Sequence, residues 1–330
     1  MQQALLPLPK AQIFVSNDTL LLEEGSVLPQ VTISYTTQGS LNADQSNVVW
    51  VFHALTGNAD PTEWWPGLFG THAVIDLERD FVICANVLGS CYGTTGPKDF
   101  NFPLITIRDI VSGHQLLRKK LGIERIKLGI GGSLGGQQLL EWAVQEPNLF
   151  ENINLIATNA VHSPWGIAFN EAQRMALDNA DSEKGLAAAR AIALLSYRHY
   201  NTFESKQKDE DGRWDDFSAS SYQRYQGSKL QKRFTSESYY CLSKAMDSHN
   251  IGRHAVSIKD ALSRIQSKTM VVGIDTDVLF PVEEQKFLSE HIPNAQLAII
   301  KSNYGHDGFL VETKQLNRFF NTYFYDKAWD

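Results

Sequence analysis

At 330 residues the chain can hold one large domain or two, and an apolar content of 43% is ample for a buried core. Its 30 basic and 37 acidic side chains leave a formal charge of −7, which argues against any broad nucleic-acid or membrane-surface role. Three cysteines, Cys84, Cys91 and Cys241, with no C-x-x-C pair, are too few for a disulfide framework or a zinc site and read as reduced thiols in a cytoplasmic protein.

In chain order, Met1–Lys10 lacks the basic start and long apolar stretch of a signal peptide, and no run anywhere approaches the roughly 18 apolar residues that span a bilayer. Val31–Tyr35 alternates at period two, as a half-covered strand does. Asn47–Phe52 and Phe81–Cys84 are continuous apolar runs, the pattern of parallel strands covered on both faces. Between Thr106 and Leu121, apolar residues at Ile107, Ile110, Val111, Leu116, Leu117 and Leu121 form a helical stripe. Another β-type run, Arg125–Ile130, leads into Gly131-Gly132-Ser133-Leu134-Gly135, and a helical pattern resumes at Gln137–Ala143. This alternation predicts a doubly wound, mostly parallel sheet. From about Pro164 to Ala255 strand character fades; helical runs such as Ala187–Leu195 and an exposed mixed-charge loop, Lys206–Arg213, take over. Strand pattern returns at Lys268, with Thr269–Ile274 and later Gln296–Ile300. The expected organisation is a core of residues 1–164 and 256–330, interrupted by a helical lid at 165–255.

Gly131–Gly135 carries the chemistry. Strand, tight turn, serine and helix together mean a nucleophile elbow, in which G-x-S-x-G lifts a strained serine above the sheet. The helix that follows points its positive end at the place where an oxyanion would form. A nucleophilic serine needs a base and an acid to orient that base, in the chain order Ser, Asp, His. Past the strand Thr269–Ile274 lie Asp275 and Asp277; past Gln296–Ile300 lies His306, between Gly305 and Asp307-Gly308. Each thus sits beyond the carboxyl end of a candidate strand, where open α/β sheets build their sites. Asp275 and Asp277 are two residues apart and face the same side of an extended segment, so periodicity does not choose between them. His53, which precedes the serine at a strand end, reads as structural. Two backbone N–H groups suit an oxyanion: that of Leu134, just after the serine, and one from the loop His53–Gly57.

Several segments resemble the homoserine O-acetyltransferase family: Tyr35–Asn42, His53–Gly57, Trp64–Leu68, Cys84–Pro97, Gly131–Gly136, Asn170–Arg174, Ser196–Arg198, Asp277–Pro281 and Gly305–Phe309. Generic hydrolases share the elbow and the histidine loop but not the Cys84–Pro97 block. The resemblance spans about Tyr35 to Leu310. It implies the α/β-hydrolase fold with an inserted helical lid and a triad of Ser133, Asp277 and His306. It further implies a Leu55 N–H as second oxyanion donor beside that of Leu134, with Arg174 and Asp307 holding the substrate carboxylate and ammonium. The structural alternatives are a surface cation for Arg174 and a helix cap for Asp307. Departures are the wording of Gly70–Ala73, Leu134 in place of a methionine, and a shorter chain whose loss is expected in the lid.

By that resemblance the activity is ping-pong transfer of acetyl from acetyl-coenzyme A, as co-substrate and with no other cofactor, to L-homoserine, a step of methionine biosynthesis carried out by a cytoplasmic homodimer. A succinyl donor, a different acceptor or water defines the alternative within the same chemistry. A non-catalytic binding protein on the same scaffold is the alternative outside it. The apolar wording of Leu55–Ala59 and Leu134 leads us to expect acetyl rather than succinyl as donor.

Overall fold

The computed structural model describes residues 11–178 and 182–325; the segment Met1–Lys10 considered above lies outside them. The chain opens with β1 (Gln12–Ser16), a small hairpin of β2 (Leu20–Leu21) and β3 (Val27–Leu28), and β4 (Val31–Gln38). There follow β5 (Val48–Phe52), α1 (Pro61–Trp64), β6 (Phe81–Ala85) and α2 (Ile107–Leu121). β7 (Ile126–Gly132), α3 (Leu134–Gln145) and β8 (Phe150–Ile156) complete the first half. The main sheet runs β1-β4-β6-β5-β7-β8 and continues with β9 (Lys268–Ile274) and β10 (Ala295–Ile300). From β6 to β10 every neighbouring pair is parallel; β4 is antiparallel to both β6 and β1.

All five residues of β5 are buried, because the strand is covered on both faces. Trp50 and Phe52 pack into the core beneath α2 and α3, with Trp142 and Phe150, while Val49 and Val51 face the opposite core with Trp65, Leu316 and Phe320. α2 begins with a capping box, in which the Thr106 hydroxyl accepts the Asp109 N–H and the Asp109 carboxylate accepts the Thr106 N–H. Its left-handed cap is Gly122, at φ 67°.

β5 leads to β6 on one side and β7 lies on its other side, so the sheet reverses its winding there. The loops leaving β5 and β7 therefore diverge above the sheet and open a crevice at their carboxyl ends. Between β8 and β9 no described residue joins the sheet. This interval holds α4 (Pro164–Asp178), α5 (Ser182–Tyr197), α6 (Tyr200–Lys206), α7 (Ser218–Gln231) and α8 (Ser236–Asp247). An isolated antiparallel bridge, Val161 to Asn250, ties the two ends of this helical insertion together. α9 (Ile258–Ser263) then returns the chain to β9. After β9 come α10 (Val282–His291), β10, the short α11 (Gly308–Val311) and α12 (Thr313–Tyr325). No described helix is long and apolar enough to cross a membrane.

Candidate active site

Ser133 occupies the single position between β7 and α3, at φ 57° and ψ −127°. A non-glycine residue there stores about 1–3 kcal/mol of backbone strain, which surrounding contacts must hold. The Ser133 N–H donates to the Ile156 carbonyl at 2.9 Å, and the Thr158 hydroxyl donates to the Ser133 carbonyl at 3.0 Å. The two glycines of the motif are required by close approach. A Cβ on Gly131 would lie 2.4 Å from the Gly135 carbonyl oxygen, and one on Gly135 would lie 2.3 Å from that of Phe52. Strand, helix and the neighbouring β5 are thus packed backbone to backbone around the serine.

β9 and β10 deliver the other two groups. The Nδ1–H of His306 donates to Asp277 Oδ2 at 2.7 Å, and both side chains are buried. The second carboxylate oxygen of Asp277 accepts the N–H groups of Leu279 and Phe280 at 2.8 and 2.9 Å, which fixes the carboxylate as an acceptor. Asp275 points elsewhere: its carboxylate accepts the Ser302 N–H at 3.0 Å and laces the β9 and β10 loops together. The choice that periodicity leaves open is therefore made by geometry, in favour of Asp277 beside the histidine. The His306 ring stacks on Phe280 at 5.1 Å and meets the edge of Phe309 at 5.4 Å, so its orientation is set by packing as well as by Asp277.

Ser133 and His306 both line a cavity of about 300 Å³ between the sheet and the helical insertion, and Leu55, Arg190, Arg233 and Asp307 share its wall. The Leu134 N–H is the first of α3, one of the helix-opening donors that lack an intrahelical acceptor. Leu55 sits in the turn that follows β5. His53, just before that turn, is buried and doubly occupied. Its Nε2 accepts the Val87 N–H at 3.1 Å, so its Nδ1 carries the proton and donates to the Ala54 carbonyl at 2.9 Å. Burial pushes its pKa down to about 4, and the ring is neutral.

The substrate residues divide. Asp307 lines the cavity, where burial pushes its carboxyl up while the nearby Arg198 and Arg190 pull it down. Arg198 Nε lies 2.9 Å from its Oδ2. Asp307 makes no side-chain capping bond to α11, so the capping alternative is not realised. Arg174 corrects the expectation from the sequence. It projects from α4 towards α8, away from the cavity wall, and is only 4% exposed. Its guanidinium is spent on Asp247 Oδ2 and Glu171 Oε2, each at 2.6 Å, and on the Ser243 hydroxyl at 3.2 Å. The cations that do reach the cavity come from later in the insertion: Arg190 on α5, Lys229 on α7 and Arg233 just beyond it. Arg190 lies in an alanine-rich helical run where nothing local distinguishes it from a solvated surface cation. Its guanidinium lies 5.5 Å over the Tyr197 ring. Among the described residues, no group of three His, Cys, Asp or Glu side chains is arranged to hold a metal.

The arrangement can support acyl transfer: a strained serine at the N-terminus of a helix, an imidazole oriented by a carboxylate, and a cavity above them. A family model for the alpha/beta hydrolase fold matches residues 47–313. A homoserine O-acetyltransferase of Cyclobacterium marinum is 47% identical, the match covering 95% of each chain. One of Chlorobaculum tepidum is 44% identical over 93% of this chain and 92% of its own. Among solved structures, a homoserine O-acetyltransferase from Staphylococcus aureus superposes with a TM-score of 0.83 at 27% identity, covering 96% of this chain and 97% of that one. The chain belongs to the homoserine O-acetyltransferase family, on the α/β-hydrolase fold.

Proposed function

We propose that this protein transfers an acetyl group from acetyl-coenzyme A to the side-chain hydroxyl of L-homoserine. One observation carries the mechanism: a buried His306–Asp277 hydrogen bond, with His306 on the wall of the same cavity as Ser133. His306 removes the Ser133 proton as the hydroxyl oxygen attacks the thioester carbonyl. The Leu55 and Leu134 N–H groups meet the charge that develops on the carbonyl oxygen. Coenzyme A leaves as its thiol with the proton held by His306, and Ser133 keeps the acetyl group as an ester. The homoserine hydroxyl then yields its proton to His306 and attacks that ester, returning the proton to Ser133. Asp277 keeps the histidine in the required tautomer and stabilises its cation.

Homoserine carries a carboxylate and an ammonium. Arg190 and Asp307 lie on the cavity wall with opposite charge, and they take the roles of carboxylate and ammonium partners. The apolar side chain of Leu55 on the cavity wall suits an acetyl donor. A succinyl group would bring a further carboxylate to be paired or hydrated, a demand that an acetyl group does not make.

Intact-mass measurement with acetyl-coenzyme A tests this reading. One acetyl adduct is expected, absent from Ser133→Ala, and O-acetylhomoserine should dominate when acetyl- and succinyl-coenzyme A compete at equal concentration. An adduct that persists in Ser133→Ala, acetate released faster than the homoserine ester forms, or mainly O-succinylhomoserine would each overturn the corresponding part.

A further inference from the structure

The turn that carries Leu55 is held from two directions. On the sheet side, the Gly57 N–H donates to the Ala54 carbonyl at 2.8 Å, His53 Nδ1–H donates to that same carbonyl, and the Gln138 amide donates to the His53 carbonyl at 3.1 Å. The first of these bonds makes residues 54–57 a β-turn with Leu55 and Thr56 at its centre. On the cavity side, the hold comes from outside the core. Arg233, in the connection between α7 and α8, donates through one guanidinium nitrogen to the Thr56 carbonyl and through the other to the Thr56 hydroxyl at 3.2 Å. The first nitrogen also reaches the Tyr92 hydroxyl at 3.4 Å, and the next residue, Phe234, packs its ring against Tyr92 at 5.9 Å. Among the described residues, Arg233 is the one side chain that bonds the Thr56 backbone.

We infer that Arg233 is a positioning residue that fixes the oxyanion turn through Thr56, so that seating of the helical insertion completes the oxyanion hole. This rests on the acyl-transfer reading above. The Leu55 N–H belongs to the Ala54–Leu55 peptide, so its aim depends on the tilt of the whole turn. Bonds on the sheet side alone leave that tilt free, and Arg233 holds the turn at its Thr56 end. A donor must lie about 2.7–3.1 Å from the developing oxyanion to act, so a small rotation of Leu55 removes most of its effect. The guanidinium has a planar fork that bonds carbonyl and hydroxyl of one residue at once, which a single ammonium cannot match in direction. The sheet therefore supplies the serine and its helix, while the insertion supplies the constraint that aims the second donor. An enzyme built this way acylates efficiently when its cavity is covered, which also limits loss of the acyl group to water.

The test uses the full-length enzyme, with rates normalised to the serine that reacts with a fluorophosphonate. For Arg233→Gln, first-turnover release of coenzyme A should slow about tenfold to a hundredfold, approaching the loss of one oxyanion donor. Binding of trifluoroacetonyl-coenzyme A, a ketone that forms a hemiketal oxyanion on a reactive serine, should weaken by a similar factor. The affinity for free coenzyme A should hardly change, because the ground state makes no use of the oxyanion hole. Arg233→Lys should fall between the two, and it serves as the readout if the glutamine variant does not fold. An unchanged acylation rate per reactive serine would overturn the inference. So would equal weakening of coenzyme A and of the ketone, which would make Arg233 a donor-binding cation. A parent protein that never acylates Ser133 would remove the functional reading and this inference with it; a parent that acylates beside an unaffected Arg233→Gln removes this inference alone.

Discussion

Two acids separated by one residue do different work here because their loops turn them to different partners. Asp277 meets His306 and two backbone N–H groups, whereas Asp275 meets the Ser302 N–H. Asp277→Asn should reduce kcat by about 10⁴, through loss of the tautomer and of imidazolium stabilisation. Asp275→Asn should leave kcat close to the parent's, since an amide oxygen can still accept from Ser302. Steady-state rates of the two variants decide it, and a reversed order would transfer the orienting role to Asp275. The two arginines are separable in the same way. Arg174→Ala strands Asp247 in a buried network and should lower the unfolding free energy by about 3 kcal/mol, with KM for homoserine unchanged. Arg190→Ala should raise that KM about tenfold to a hundredfold, the range of a hydrogen bond to a charged group, with little loss of stability. Denaturant titration and homoserine saturation curves check both, and a KM effect confined to Arg174→Ala would restore its substrate role. Nothing in the sequence separates these arginines, since both lie on helical patterns and only the packing of α4 on α8 occupies one of them.

At the scale of elements, the segment most plainly legible was strand–turn–helix around Ser133, because its glycines answer to local crowding. Gly135→Ala would set a methyl 2.3 Å from the Phe52 carbonyl oxygen, with backbone on both sides and no flexible side chain to move aside. The variant should lose at least about 1–3 kcal/mol of stability, the usual cost of overpacking a core, and should react slowly with a fluorophosphonate. Parent-like stability and labelling would show that α3 can shift away from β5. Strands β5, β6 and β9 announce themselves as apolar runs, since parallel strands are covered on both faces. β8 was not legible, because Glu151, Asn152 and Asn154 interrupt its pattern; Asn154 is nevertheless fully buried in the middle of the sheet. β1 carries exposed Ile13 and partly exposed Phe14 in an edge position, where a short sequence gives little periodic signal.

Across the whole molecule, buried histidines tie stability to pH. Burial lowers the pKa of His53, His114 and His162 to about 4, and that of His249 to about 3. Between those values and the ordinary 6.5, the unfolded chain binds protons that the folded chain refuses. Stability from these groups therefore rises with pH through that window and is lost on acidification, with a slope of up to ~1.4 kcal/mol per pH unit for each. The carboxyls of Asp109, Glu141 and Asp247, raised by burial, act in the opposite sense. A difference measurement isolates one histidine: His114, stacked on Trp142 and bonded to Gln138, is replaced by Gln. Denaturant titrations from pH 4.5 to 6.5 should show a shallower rise of stability with pH in His114→Gln than in the parent, by no more than ~1.4 kcal/mol per unit. Identical slopes would mean that His114 protonates in the folded protein.

Sequence alone determined the chemistry and the scaffold: a serine on an elbow, an acid and a histidine at later strand ends, and an interval without strands between two parts of a parallel sheet. These are legible because each is a local constraint, a steric need for glycine or a periodic burial pattern, written within a dozen residues. Tertiary structure decided which acid meets His306, which cation reaches the cavity and what braces the turn at Leu55. Each of those depends on side chains separated by 29 to 177 positions, brought together by the sheet order and by the packing of α4 to α8. No local pattern encodes such a meeting, because the free energy that selects it belongs to the assembled core rather than to either segment.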